Sequence, residues 1–212
     1  MPCPTGSHMT PTAKKIDTKC TYEDYCKWGD EQRWELIDGV PYNMTPAPAT
    51  RHQRILGNLS RELLNYLKGK TCQPFVAPTD VVFDEYNVVQ PDLLVVCDRK
   101  KITEANIQGA PDFVVEILSP ATSRKDRREK RALYERFGVK EYLVIDPANE
   151  TVERFSLVKG KYRNPDVFGW DETMTLSVFP ELKLDLWEIF EKEKVEAVNE
   201  PRPGYTAKNR QP

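Results

Sequence analysis

The sequence predicts an α/β chain in which short buried strands alternate with amphipathic helices, and three observations carry that reading. Two apolar runs, QPDLLVV at 90–96 and the core of APDFVVEILSP at 110–120, have strand length and are bounded by turn-forming residues. A helical period follows them: Asp126, Lys130, Leu133, Tyr134 and Phe137 recur on one face of 122–137. Upstream, Ile55, Leu59, Leu63 and Leu67 repeat every four residues, with Leu56 and Leu64 widening the stripe, and predict a helix that ends before Gly69.

The remaining elements read in order. The stretch MPCPTGSHM opens the chain, and its GSHM resembles the scar of an expression tag, so residues 1–8 are set aside as a tag remnant. Residues 9–20 read as a flexible lead. Thr21 is an N-cap candidate for a short helix over TYEDYCKW, with Glu23 and Asp24 in its first turn. RWELIDGVPYNM at 33–44 alternates around Asp38-Gly39, a strong hairpin signal that puts Glu35 on the first strand. Strand-like runs at 75–77 and 80–83 lead into a turn at 84–87, which predicts a hairpin spanning 81–96. DRKKITEANIQGA reads as a polar loop, with Arg99, Lys100 and Lys101 a solvated run or a phosphate contact. GVKEYLVIDP at 138–147 is a strand after a glycine C-cap, and 151–158 with 161–168 form a second hairpin about Lys159-Gly160. Runs at 176–179 and 184–190 close a domain expected over 21–190. Residues 191–212 are polar, carry proline and read as a disordered tail.

Composition narrows the class. With 212 residues, 39% hydrophobic and 30% charged, the chain can bury a sizeable core. Acids and bases nearly cancel, 33 against 31, so any nucleic-acid contact must come from a local patch rather than the whole surface. No apolar run reaches membrane-spanning length. Once the tag is set aside, His52 is the one histidine left, which argues against zinc sites built on several histidines. Cys20, Cys26, Cys72 and Cys97 are scattered, with no CxxC spacing and no secretion signal, so reduced thiols and a cytoplasmic location are expected. Phosphate-loop, GxSxG and GxGxxG patterns are absent from the sequence.

The two apolar runs carry acids where core strands are usually oily. Asp92 begins the first, and Asp112 and Glu116 sit within the second. Burying a carboxylate costs several kcal/mol unless a cation or hydrogen bonds compensate it. By strand alternation Asp112 and Glu116 share a face, and Asp92 comes within reach of Glu116 if the strands are neighbours. Two carboxylates, a main-chain carbonyl and waters suit a hard divalent ion. Lys130, on the apolar face of the following helix, either snorkels to solvent or directs its ammonium over these acids.

In order, ELIDG at 35–39, the helix led by His52, QPD, PDFVVEILSP, Lys130 with Tyr134, and GVKEYLVIDP resemble the Uma-two family of restriction endonucleases. That family is a branch of the PD-(D/E)XK nuclease superfamily, and the resemblance covers roughly residues 22–190. It implies a restriction-endonuclease-like core, a mixed sheet flanked by helices with added β-hairpins. It also implies metal-dependent hydrolysis of phosphodiester bonds. Asp92 and Glu116 would bind magnesium, with manganese as the alternative, together with the Ile117 carbonyl. The superfamily pattern Glu-x-Lys is broken here, because Glu116 is followed by Ile117 and Leu118. The resemblance moves the lysine role to Lys130 on the next helix.

Glu35 and Glu62 compete as an additional acid, with a surface role as the plain reading of Glu35. His52 is a site neighbour by resemblance and a polar cap or packed ring otherwise. Arg124, Lys125, Arg127, Arg128 and Arg131 could grip a polynucleotide backbone, or solubilise their helix through ion pairs such as Asp126 with Lys130. The sequence therefore supports a magnesium-dependent DNA endonuclease, with a homodimer expected by analogy. The other reading is a catalytically inactive module that keeps the nuclease fold to bind nucleic acid or mediate assembly.

Overall fold

The computed structural model describes residues 19–29, 33–44, 47–120 and 122–194; the expected tag remnant, nearly all of the expected lead and the part of the expected tail beyond 194 lie outside the described residues. A single helical turn, α1 (Tyr22–Tyr25), is closed by a capping box: Thr21 Oγ1 accepts from Asp24 N, and Asp24 Oδ2 accepts from Thr21 N. Strands β1 (Trp34–Ile37) and β2 (Val40–Asn43) form the expected tight hairpin. Asp38 and Gly39 both take positive φ, 51° and 78°, as its two-residue turn requires.

Helix α2 (Thr50–Leu67) then buries Ile55, Leu56, Leu59, Leu63 and Leu67 of the predicted stripe, while Leu64, expected to widen it, is exposed. Next come β3 (Gln73–Val76), β4 (Val81–Asp84), β5 (Asn87–Val89), β6 (Leu93–Val96), β7 (Ile107–Gln108) and β8 (Phe113–Ile117). The helical region is split into α3 (Ser123–Lys125), a π-helical turn (Asp126–Lys130) and α4 (Arg131–Phe137), and Gly138 caps it at φ 82°. Strands β9 (Glu141–Asp146), β10 (Thr151–Val158), β11 (Lys161–Tyr162), β12 (Asp166–Gly169), β13 (Thr173–Thr175) and β14 (Lys183–Asp185) follow, then α5 (Leu186–Ile189).

The larger sheet runs β11-β10-β9-β8-β6-β3, with β12 also on β10; β8 and β9 are parallel and the other pairs antiparallel. A smaller sheet runs β2-β1-β5-β4-β7. The period of two sorts the core between the faces of the larger sheet. Leu93, Val95, Phe113, Val115, Ile117, Leu143 and Ile145 pack with α2 and the segment 182–190. On the other face, Leu94, Val96, Val114, Tyr142 and Val144 meet Leu133 and Tyr134 of α4 and Ile37, Val81 and Val89 of the smaller sheet.

Two expectations are corrected. The hairpin over 81–96 does not form as one unit: β5 pairs with β4 in the smaller sheet, while β6 pairs with β3 and β8 in the larger. The break falls where the ladder runs out of donors, because Gln90 N is given to Glu35 and Pro91 has no N–H. The cysteines are not all free thiols either. Cys72 and Cys97 lie one step beyond the Gln73↔Val96 pair of β3 and β6 and are joined in a disulfide, a proximity created by strand pairing across 25 residues of sequence. Among the described residues no helix is long and apolar enough to cross a membrane.

Candidate active site

The site forms where the smaller sheet, the end of β8 and the π-helical turn meet. Continuing the Leu93↔Val115 register by one residue sets Asp92 opposite Glu116. Asp92 sits on the bend entering β6, and its Oδ2 accepts from the Ile117 amide at 2.7 Å and faces His52 Nε2 at 3.2 Å. Because a carboxylate can only accept, the His52 Nε2 carries the hydrogen in this contact. The opposite ring atom, Nδ1, is buried and has no partner among the described residues.

Glu116 is almost completely buried, at 3% exposure. Its Oε1 accepts from Lys130 Nζ at 2.8 Å and from the Tyr134 hydroxyl at 2.6 Å. Lys130 reaches inward rather than snorkelling. Only 2% exposed, its ammonium also meets Glu35 Oε1 at 2.7 Å and lies 3.7 Å from Asp126 Oδ1. Glu35 is fully buried and fully engaged: Oε1 additionally accepts from Gln90 N at 3.1 Å, and Oε2 accepts from Lys125 Nζ at 2.5 Å.

Three acids thus surround two lysines, and the charge balance is felt unequally. Burial alone would raise the Glu35 carboxyl, but Lys130 and Lys125 outweigh it and hold Glu35 below the ordinary range. Burial pushes Glu116 well above that range; Lys130 opposes the shift, and Asp126, Asp92 and Glu35 add to it. Asp126 is raised, chiefly by burial. Burial would lower Lys130, yet Glu116, Glu35 and Asp126 hold its ammonium well above the ordinary value, so it stays charged.

The other predicted residues fall in several places. Asp112 lies just before β8, its carboxylate taken by Cys97 N at 2.7 Å and Lys140 Nζ at 2.6 Å, about 13 Å along the strand from Glu116. A cavity of about 630 Å³ opens at that end, lined by Asp112, Lys140, Arg154 and Arg163, and so does not contain the Glu116 cluster. Glu62 pairs with Arg61 on α2, ten residues and about 15 Å along the helix from His52. Arg127 is occupied by Glu153 and Asp146, and Arg131 lies over the Phe155 ring. Arg124 and Arg128 are exposed and make no ion pair among the described residues. Lys125, expected on the basic outer flank, instead turns inward to Glu35. Sequence reasoning missed that inward turn and the burial of Asp126. The signal for Asp126 was present, since Asp126, Lys130 and Tyr134 recur at intervals of four on an otherwise apolar face.

The matching family is described as "Uma2: Putative restriction endonuclease", and the match runs over residues 21–186. The chain belongs to the Uma2 family. It is 29% identical over 143 residues to a Synechocystis protein named "Uncharacterized protein slr1290", covering 65% of this chain and 74% of the relative. The crystal structure of "a putative nuclease belonging to DUF820" from Anabaena variabilis superposes with a TM-score of 0.68 at 23% identity, over 81% of this chain and 97% of the other. The Uma2 chain accordingly has the expected restriction-endonuclease-like fold, with mixed sheets and few helices.

As a metal centre, the donor set is small and hard. Among the described residues no group of three or more His, Cys, Asp or Glu is placed to hold an ion. Asp92 and Glu116 each keep one oxygen, Oδ1 and Oε2, that accepts no hydrogen bond among the described residues. Two carboxylates with waters and a substrate phosphate are the usual setting for magnesium, so these residues fit such an ion better than they fit zinc.

Proposed function

We propose that this protein is a metal-dependent endodeoxyribonuclease of the PD-(D/E)XK type, hydrolysing phosphodiester bonds in DNA at the Asp92–Glu116 end of the larger sheet. Asp92 and Glu116 would hold magnesium or manganese together with the Ile117 carbonyl. When bound, the ion would supply Lewis acidity to the scissile phosphate and a supply of activated water. The observation that carries the reading is the placing of two acids opposite each other across β6 and β8, each with one uncommitted oxygen, beside an enclosed ammonium.

The protein's own groups divide the remaining work. Ile117 N and His52 fix the Asp92 carboxylate through one oxygen and leave the other available. Tyr134 and Lys130 do the same for Glu116. Lys130, held between Glu35 and Glu116, is the cation that would orient the attacking water or offset charge growing on the phosphate. The exposed Arg124 and Arg128 would meet the polynucleotide backbone. A duplex cut on both strands would engage two copies of the chain.

The test is incubation of wild type, Asp92→Ala and Glu116→Ala with supercoiled plasmid and magnesium or manganese. Nicking by the wild type that both substitutions abolish is the expected result. Cleavage that survives both substitutions removes the assigned site, and retained DNA binding without nicking by the wild type favours the inactive-module reading.

A further inference from the structure

We propose that Lys125 is a substrate-facing residue of this site, parked on Glu35 and transferring its ammonium to a phosphate oxygen of the bound polynucleotide. The inference rests on the nuclease reading above and deepens it, because it concerns which cation touches substrate.

In a regular α-helix, residues five apart point about 140° away from each other. The π-helical turn over Asp126–Lys130 changes that, since its i→i+5 hydrogen bonding stacks residues five apart on one side. Lys125 and Lys130 consequently reach the same carboxylate, one on each oxygen of Glu35. A π-turn of this kind sacrifices regular helix geometry, and here the visible result of it is the alignment of two ammonium groups.

The two lysines are not equivalent. Lys130 is sealed, with Glu35 and Glu116 at hydrogen-bond distance and Asp126 just beyond. It can act on substrate only from where it sits, because moving it out would leave Glu116 and Asp126 buried with no cation, at a cost a phosphate contact could not offset. Lys125 has one carboxylate partner, and its side chain keeps 13% exposure. An ammonium has three donors, so two remain beyond the bond to Glu35. The Lys125 ammonium also lies over the Tyr42 ring, 5.3 Å from its centroid.

Release of Lys125 does not strip its partner of a counter-charge. Glu35 keeps Lys130 and the Gln90 amide on Oε1, and the phosphate contact has to offset the loss at Oε2 alone. The exposed Arg124 and Arg128 flank Lys125 in sequence. The plain alternative is that Lys125 neutralises Glu35 and never leaves it.

Two readouts separate these roles. The affinity of a short labelled DNA duplex is measured against salt concentration with EDTA present, and nicking is measured with magnesium, for wild type, Lys125→Ala and Lys125→Arg. Thermal melting verifies that each variant folds. Lys125→Ala is expected to reduce the slope of log affinity against log salt by about 0.9, one phosphate contact. Its nicking rate is expected to fall about a hundredfold, while Lys125→Arg keeps the wild-type slope. A wild-type slope in Lys125→Ala overturns the proposal, whether or not nicking falls, and a fall in nicking alone would mark Lys125 as a prop for Glu35. A reduced slope in a protein that does not nick keeps the Lys125 contact and removes the endonuclease reading. Wild type that neither binds nor nicks removes both.

Discussion

Asp112 and Glu116 stand four residues apart at the two ends of β8, with the same strand parity. One meets Lys140, whose side chain is 64% exposed, and the other meets Lys130, which is 2% exposed. Alternation predicts that two such acids face the same way, but it says nothing about what covers each end of the strand. At the Asp112 end the acid is buried, but its lysine reaches it from solvent at the edge of a broad cavity. At the Glu116 end the cover is the smaller sheet, through Glu35, and the π-helical turn, through Lys130. Similar chemistry, a carboxylate with a lysine, becomes at one end a buried acid paired with a solvent-exposed lysine and at the other an enclosed cluster.

The widest separation between the two ends should appear on removing the lysines. Lys130→Met leaves Glu116 and Asp126 buried with no cation in contact and Glu35 with Lys125 alone, and is expected to destabilise folding by about 3–5 kcal/mol. Urea denaturation would measure it. Adding Glu116→Gln to Lys130→Met should recover part of that loss, because the orphaned charge is removed along with its partner. A loss below about 1 kcal/mol would mean that the cluster behaves like the exposed pair and that enclosure is not what distinguishes the ends of β8.

The pH dependence of stability sharpens the same contrast within the cluster. Glu116 is raised well above the ordinary glutamate value of about 4.3, chiefly by burial. Above that value the unfolded chain has lost the Glu116 proton while the folded protein still holds it. Folded protein then binds more protons than unfolded, so this group's contribution to stability falls as pH rises, by up to about 1.4 kcal/mol per pH unit, until the raised value is passed. Glu116→Gln should abolish that decline, so its stability relative to wild type should climb with pH across the window. Glu35 has the opposite sign. Burial is outweighed by Lys130 and Lys125, its pKa is lowered, and its contribution is complete above about 4.3 and lost as pH falls through the lowered value. Equal pH profiles for wild type and Glu116→Gln would show that burial does not raise the Glu116 carboxyl.

These contrasts also mark the limit of what the chain reveals before folding. The strands at 113–117 and 141–146, the α2 stripe, the Asp38-Gly39 and Lys159-Gly160 turns and the Gly138 cap were legible because each is a local pattern of periodicity or backbone freedom. The opposition of Asp92 and Glu116 was legible as a conditional, since it followed once the two runs were taken as neighbours. What could not be read were the consequences of non-local pairing. Cys72 and Cys97 meet because β3 lies against β6, and the 81–96 stretch divides because Glu35, from another hairpin, claims the Gln90 amide. The inward turn of Lys125 was hidden for a further reason: a 3.6-residue period places it on the outer flank, and only a π-turn brings it beside Lys130.

The smallest expected effect belongs to the other end of the strand. Lys140→Ala removes an ion pair whose lysine is mostly in water, and exposed pairs contribute about 0–1 kcal/mol. Asp112 would keep the Cys97 amide on Oδ2, so it would not be left without a partner. Urea midpoints for wild type and Lys140→Ala should therefore nearly coincide, and the small difference should shrink as salt is added. Nicking should be unchanged, because this pair lies at the far end of β8 from Glu116. A Lys140→Ala loss as large as that of Lys130→Met would show that position along the strand, and the burial that goes with it, does not set the strength of these carboxylate–lysine contacts.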